Sequence, residues 1–572
     1  QYGKYSYVKV LSGSIKPDMP MVNARTGETE KLGRLYIPKG KKYTEVKELT
    51  CGDIGAIAKM DKVKTGNTLC DPKHIVRLHG MDYAQPCYSR AISPKTKQEV
   101  EKLGTGLNKL NEEDPTFSVT NNAETHQMVI SGAGDIQVDV LCAKLKSRFG
   151  VETELNGTQL GEGTTLYGLV TDTSGNPIPG VVVSDGYGCV TTDANGVYQM
   201  ERYKKARFVH YSTPAGYAIN TSADNYPLFY AEIVHKNIAD RHDFVLTPLP
   251  APESDFTLVC IADPQCATTA EISRYVNETI PDVEATVDAY KAKGTPVYGI
   301  TLGDIVFDTP DLWSNMKESM ANRNLPVFQT IGNHDHLQTE TSDDNAAANF
   351  ETQFGPRNYS FNRGDVHFIA MDNIIFTGTE YTGGFTDEQV AWLEKDLSFV
   401  PTDKMVILYY HIPLRDNTGY LNRKKVLDMI SRYKNPILMC AHTHYFQPYH
   451  MRSHKLFERI HGGTCGYFWR STCGGDGTPN GFMVYEIDGT KIIDTYFKAS
   501  QRADDYQIRL YRGNAEFAGP YATYKYDVGA DVVVANVFTS GMDGTTWKVE
   551  LSEDGGKTWS VMTEMSQSYG DR

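Results

Sequence analysis

Five apolar runs stand out in the second half of this 572-residue chain, each bounded by polar or glycine residues. They cover Phe256 to Ala262, Val297 to Leu302, Leu325 to Ile331, Met405 to Tyr410 and Ile437 to Ala441. Short continuous runs of this kind predict strands buried on both faces, as in a largely parallel sheet. Between the first two, Ala270 to Lys293 carries apolar residues near helical spacing, so strand, helix and strand alternate and predict an α/β core. The first 75 residues alternate apolar and polar positions in short stretches such as Tyr5 to Leu11, punctuated by Gly and Asp turns, which predicts a small antiparallel barrel.

Residues 84–155 change pattern. A strand near Cys87 to Ile92 precedes a helix from Lys97 to Leu110, strands at Phe117 to Thr120 and Gln127 to Ile130, a helix from Ile136 to Phe149, and a strand from Val151. That order, β-α-β-β-α-β, predicts a ferredoxin-like α+β unit. From Gly161 turn residues recur every ~8–12 positions between β-rich runs, as in a small β-sandwich. After about residue 499 the pattern is β again, with Asp531 to Phe538 and Trp547 to Leu551 bracketing a turn. The expected fold is thus multidomain, α/β and β: a β-barrel over 1–78, a ferredoxin-like domain over 79–155, a β-sandwich over 156–250, an α/β sandwich core over 251–498 and a β-rich domain over 499–572.

Bulk properties exclude several classes. A formal net charge of -14 argues against a general nucleic-acid or anionic-membrane surface. No run approaches the ~18 apolar residues of a membrane span. Ten cysteines form no C-x-x-C pair, which disfavours a zinc ribbon or thioredoxin-type site; Cys465 and Cys473 are open to a disulfide or to two free thiols. The chain starts at Gln1 without a signal-peptide pattern, as a fragment or processed product would, and its end at Arg572 reads as a truncation.

Chemistry sits at the ends of the five runs: Asp263-Pro264-Gln265, Gly303-Asp304-Ile305-Val306-Phe307-Asp308, Gly332-Asn333-His334-Asp335, Tyr410-His411-Ile412-Pro413 and Ala441-His442-Thr443-His444. Ligands of open α/β sheets gather beyond the carboxyl ends of the strands, so one cleft can collect all five. The donors are carboxylate, amide and imidazole without thiolate, a set that favours Mn, Fe, Zn or Mg. A carboxylate shared by two cations holds them ~3.5–4 Å apart, the spacing of two-metal hydrolases.

In this order the five motifs resemble the signature of the calcineurin-like metallophosphoesterases. The resemblance implies metal-dependent hydrolysis of a phosphate ester at a dinuclear centre with a bridging hydroxide as nucleophile. Asp263, Gln265 and His444 would hold the first of two divalent or trivalent metal ions, Asp304 would bridge, and Asn333, His411 and His442 would hold the second. His334 would protonate the leaving oxygen, oriented by Asp308 or by Asp335. Two positions depart from the common pattern. Gln265 stands where His is usual, and Phe307 where a second Asp is usual, with Asp308 one residue later. His336, His450, His454 and His461 are expected at the surface or behind the ligands. The loop from Gly474 to Gly481 is expected to line the cleft, with Trp469 either covering a leaving group or packed in the core.

Three flanking resemblances complete the picture. Gly3 to Val10, Gly52-Asp53-Ile54 and Thr65 to Leu69 resemble the second domain of elongation factor G and its relatives. Glu113 to Phe117 and Ile130 to Asp135 resemble its third domain. No G-x-x-x-x-G-K-[ST] loop is present, so a phosphate cradle for GTP is missing. Residues 1–155 are then an inert fragment or a vestigial ribosome or RNA contact, and the alternative overall reading is a translation-factor-like binding protein whose phosphoesterase half binds without catalysis. Gly168 to Asp172, Gly175 to Val181 and Thr191 to Tyr198 resemble the prealbumin-like domain that precedes the catalytic domain in some bacterial phosphoesterases. The segment after 499 resembles their C-terminal β domain. These resemblances imply a phosphorylated small molecule or other phosphoester as partner, with a periplasmic or surface location for 156–572 and a cytoplasmic one for 1–155.

Overall fold

The computed structural model describes residues 5–564 except 41, 61, 80–85, 87, 97–98, 123–126, 157–162, 235–238, 322, 379, 513–515, 519–522, 526–530, 540, 543 and 546. Gly3, Lys4, Cys87, Lys97, Gly161 and Arg572, which entered the expectations above, lie outside the described residues. The chain divides into two compact units, 1–161 with 237–239, and 162–236 with 240–572.

In the first unit, strands Tyr5–Lys9, Ile54–Ala58, Leu35–Lys39 and Lys42–Val46 form an antiparallel sheet in that order. A strand pair and a three-stranded sheet accompany it, around a core of Met21, Leu32, Leu35, Leu49 and Ile57. The described strands make three separate sheets and no closed barrel. Residues 88–156 form one antiparallel sheet ordered Ser118–Asn122, Gln127–Gly132, Tyr88–Pro94, Thr153–Asn156. The helix Val100–Glu113 lays Leu103, Leu107 and Leu110 into this module's core, at helical i, i+4 and i+7 spacing.

The second unit is built on two mixed sheets. The first has the order Val327–Phe328, Val297–Thr301, Asp255–Ile261, Gly481–Asp488, Lys491–Ala499; its first three strands are parallel and the last two antiparallel. The second runs Tyr359–Arg363, Val366–Ala370, Met405–Tyr409, Ile437–Cys440, Leu456–Ile460, Gln447–Met451, parallel through its middle four. Side chains alternate faces along each strand. Phe256, Leu258 and Cys260 therefore meet Phe368, Ile407, Tyr409 and Met439 between the sheets. Val259 and Ile261 face the other way, onto helix Ile280–Ala292 through Val283 and Val287. On the far side Val406, Leu408 and Leu438 pack on helices Asp387–Leu397 and Arg423–Ile430 through Trp392, Leu393, Val426 and Leu427. Burying both faces of both sheets is what makes these strands apolar at every position rather than at every second one.

Residues 164–249 add two small β sheets, whose buried Leu166, Val170, Val183, Tyr211 and Leu246 join the inter-sheet core. This layer is tied down by backbone and side chain together: Asn362 N–H donates to Thr213 O at 2.9 Å, and the Trp392 indole donates to Ser184 Oγ at 3.0 Å. Toward the end of the chain, strand Ile508–Arg512 pairs with Val533–Val537, and Phe538 packs on Phe497. Among the described residues no helix is long and apolar enough to cross a membrane.

Candidate metal centre

Each motif sits just past the carboxyl end of a strand. Asp263 follows Asp255–Ile261, Asp304 follows Val297–Thr301, Asn333 follows Val327–Phe328, His411 follows Met405–Tyr409, and His442 follows Ile437–Cys440. The two sheets thus deliver their loops to one place. The loops approach so closely that glycine is required between them. A Cβ on Gly332 would lie 2.1 Å from Asp304 N, and one on Gly303, which has φ +91°, would lie 2.6 Å from His411 Nδ1. Asp335 staples the same crossing: its carboxylate accepts from the N–H groups of Ile305 (2.8 Å), Val306 (3.0 Å) and Gly332 (2.8 Å).

Two donor triads result, Asp263/Asp304/His444 and Asp304/His411/His442, and they share Asp304. Within each triad the candidate ligand atoms lie within 4.8 Å of one another. Asn333 lies beside the second, its Oδ1 3.0 Å from His411 Nε2. Gln265 lies beside the first, its amide N–H donating to Asp304 Oδ2 at 2.9 Å, with Oε1 near the Cys465 thiol. The carboxylate it faces selects that amide orientation; half a turn about the last bond would present the oxygen instead.

Backbone strain concentrates here. Asp263, Gln265, Asp304, Asp308, His442 and His444 all have positive φ, between +40° and +70°. Non-glycine residues occupy this region rarely, and it persists only where surrounding structure holds it.

Burial and close pairing set the charges of the cluster. Asp263, Asp304 and His411 are fully buried. Burial alone would raise Asp304, but His411 beside it holds the carboxyl well below the usual range. Burial likewise opposes a charge on His411, yet Asp304 and Asp263 push it up to about 9. Burial raises Asp263 well above the usual carboxylate value. It pushes His442 down to about 3 and His444 to about 4, so both imidazoles are neutral, with lone pairs free for a metal. Imidazoles, buried carboxylates and amides form a donor set that fits borderline and hard divalent ions.

His334 lies at the mouth. Its N–H donates to Asp304 Oδ1 at 2.9 Å, and its ring Nδ1 lies 3.0 Å from Asp308 Oδ1. Asp308, not Asp335, is therefore the carboxylate beside the ring. Phe307 stacks on the same imidazole, centroids 4.2 Å apart, a contact that sequence reasoning missed because an apolar residue among ligands carries no chemical signal. Trp469 proves to be core. It is 2 % exposed and its indole donates to Pro264 O at 2.7 Å, bracing the loop that carries Asp263 and Gln265. Cys465 and Cys473 are free thiols. His336 and His461 are buried, the His336 Nδ1–H donating to Gly332 O at 2.8 Å and His461 Nε2 sharing a hydrogen bond with the Tyr485 hydroxyl at 2.7 Å, while His450 is exposed and His454 pairs with Asp428.

Family models match along nearly the whole chain. Residues 256–446 match the calcineurin-like phosphoesterase model, 164–249 the N terminal of calcineurin-like phosphoesterase, and 458–571 its C terminal. Residues 3–70 match elongation factor Tu domain 2 and 83–157 elongation factor G domain III. Among solved structures, a protein of Thermus thermophilus is similar at 20% identity with a TM-score of 0.25; the match covers 37% of this chain and 30% of that one.

Proposed function

Since residues 164–571 are a calcineurin-like metallophosphoesterase with its N- and C-terminal domains, preceded by elongation-factor-like modules, we propose that the chain hydrolyses a phosphate ester at a two-cation centre. The observation that carries this reading is the pair of donor triads sharing one buried carboxylate, Asp304. Asp263, Gln265 and His444 would hold one cation, Asn333, His411 and His442 the other, with Asp304 common to both. Bound there, two divalent ions would acidify a water for attack on phosphorus and neutralise phosphoryl charge.

The chain's own groups do the rest. His334, held in place by Asp308 and Phe307, gives its proton to the leaving oxygen as the ester P–O bond breaks and a P–O bond to water forms. Asp335 transfers no proton in this scheme; its three backbone bonds keep the Asp304 and Asn333 loops in register. The strained backbone at the donors pre-sets their directions, so little reorganisation is needed. Residues 1–155 contribute none of these groups, and we assign them no part in hydrolysis.

The test is a panel of phosphomonoesters, phosphodiesters and nucleoside diphosphate derivatives, assayed with and without chelator and with metal analysis of the same samples. Hydrolysis that disappears on chelation and returns with divalent metal supports the reading. Tight metal binding without turnover of any ester would instead favour a protein that binds phosphoesters without cleaving them.

A further inference from the structure

Behind the Asn333 loop four carboxylates crowd one guanidinium. Arg357 Nη1 donates to Asp343 Oδ2 at 2.9 Å and to Asp372 Oδ2 at 2.8 Å, and its Nη2 donates to Asp344 Oδ1 at 2.6 Å. Its Nε lies 3.5 Å from Glu351 Oε1. The Arg357 side chain is 11% exposed, and Asp372 is buried. Two further cations come from the layer of residues 164–249. Lys205 Nζ lies 3.0 Å from Asp344 Oδ2, and Arg207 Nη1 lies 2.5 Å from Glu351 Oε2. Three basic side chains thus serve four carboxylates, and the layer provides two of the three.

The cluster does not end at the seam between layer and core. Asp372 Oδ2 lies 3.8 Å from Nε2 of the fully buried His336 ring, a nitrogen with no hydrogen-bond partner of its own. On the other side of the ring Nδ1–H donates to Gly332 O at 2.8 Å. Phe376 stacks on the ring, centroids 5.7 Å apart and planes 7° apart, and its own N–H donates to Asp343 Oδ1 at 2.9 Å. His336 therefore closes the turn from Gly332 to His336, which carries Asn333 and His334. Gly332 is also the residue with no room for a side chain against Asp304, so a small shift of this turn moves the crossing of the metal loops. Taking away one partner of a buried charge leaves the other uncompensated. Without Lys205 and Arg207, Arg357 alone faces Asp344 and Glu351 and is drawn toward them, away from Asp372.

We propose that Arg357, Asp372 and His336 are positioning residues for Asn333 and His334, and that Lys205 and Arg207 make the layer of residues 164–249 part of the same device. This rests on the phosphoesterase reading above and gives the layer a task in it. Side-chain networks of this kind change the behaviour of a distant site by about 2- to 30-fold.

The experiment uses the full chain in two states. In chelated protein, hydrogen exchange of the segment 331–338 is followed by mass spectrometry beside that of 256–262, a core strand that the network does not touch. In protein loaded with Mn²⁺, kcat and calorimetric binding of Mn²⁺ are measured. Lys205→Gln with Arg207→Gln is the main variant, since these side chains are 45% and 39% exposed and folding does not hang on them. Lys205→Arg with Arg207→Lys keeps both charges, and Arg357→Gln removes the hub. The expected result for both Gln variants is exchange at 331–338 faster by about 2- to 30-fold with 256–262 unchanged. One of the two Mn²⁺ ions should bind more weakly and kcat should fall, each within the same range, while the charge-keeping variant behaves as wild type. If Arg357→Gln does not fold, the Lys205 and Arg207 pair decides. Unchanged exchange at 331–338, equal acceleration of both segments, or selective acceleration with Mn²⁺ binding and kcat intact would overturn the inference. Any of these with ester hydrolysis present leaves the phosphoesterase reading standing. Selective acceleration in a chain whose wild type binds no Mn²⁺ and cleaves no ester would do the reverse, retaining the hold on the turn and removing the phosphoesterase reading.

Discussion

Replacing Asp304 by Asn tests the shared carboxylate with almost no change of shape. The side chain is 2% exposed, and both of its oxygens are engaged. Oδ1 accepts from His334 N–H at 2.9 Å; Oδ2 accepts from the Gln265 amide at 2.9 Å and lies 3.2 Å from His411 Nε2. An amide can keep the first bond through its oxygen. Its NH2 then faces two donors; the Gln265 amide can turn over, but His411 loses the buried carboxylate that holds its charge, so folding should lose ~3–5 kcal/mol. The metals lose as much again. The triad Asp263/Asp304/His444 drops from two carboxylates to one, and Asp304/His411/His442 drops to none. One unit charge at ~4 Å is worth ~4 kcal/mol at an effective dielectric of about 20, and more against a dication. Each site should therefore weaken by about 10³-fold or more, the His411/His442 site losing its ion first. Elemental analysis after dialysis, with calorimetric titration of the chelated protein, reads this directly, alongside turnover. An Asp304→Asn protein that keeps two ions per chain at wild-type affinity and wild-type turnover would refute the argument that this carboxylate serves both sites.

Three further outcomes are expected. His334→Ala should keep its metals but lose about 10²–10⁴-fold in kcat, the usual worth of a positioned acid, read by steady-state kinetics beside metal analysis. A fragment of residues 162–572 should turn over at the full chain's rate per molecule, because residues 1–161 form a separate compact unit and hold none of the donors; a folded fragment, checked by circular dichroism, without activity would contradict this. Acid should destabilise the fold through buried neutral histidines. Burial lowers His210 and His461 to about 4, below the unfolded value near 6.5, so the unfolded chain binds the extra proton and stability is lost as pH falls from about 6.5 to about 4, by ~3 kcal/mol for each group. His210→Phe should flatten that limb of a urea-midpoint profile by about one proton, since His210 already packs edge-on to Phe229.

The candidate donors that the structure brings together were legible because each ends an apolar run and because Asp, Asn and His at five such ends have few other reasons to recur. Burial of both sheet faces made those runs continuous, which also made the α/β core readable. Other features leave no mark in the sequence. The antiparallel return of Gly481–Asp488 beside Asp255–Ile261 brings a distant strand into the first sheet through a register that no local pattern encodes. The positive φ angles at Asp263, Gln265, Asp304, His442 and His444 arise from loops held on both sides; Asp and His tolerate that backbone better than most residues, but no local pattern marks which of them adopt it. Phe307 looked like a lost carboxylate. In the structure Asp308, itself at φ +52°, reaches the His334 ring, and Phe307 covers that ring's face. Trp469 was open between substrate cover and core, and its indole bond to Pro264 O decides for the core.

The central claim is that two cations held through Asp304 hydrolyse a phosphate ester. Its most direct test titrates chelated full-chain protein with a divalent metal while bound metal and ester cleavage are read in the same sample. The account predicts no cleavage in the chelated protein and activity that rises with loading and saturates at two ions per chain. Cleavage at full rate in the chelated protein, or two bound ions without cleavage of any ester, would contradict it.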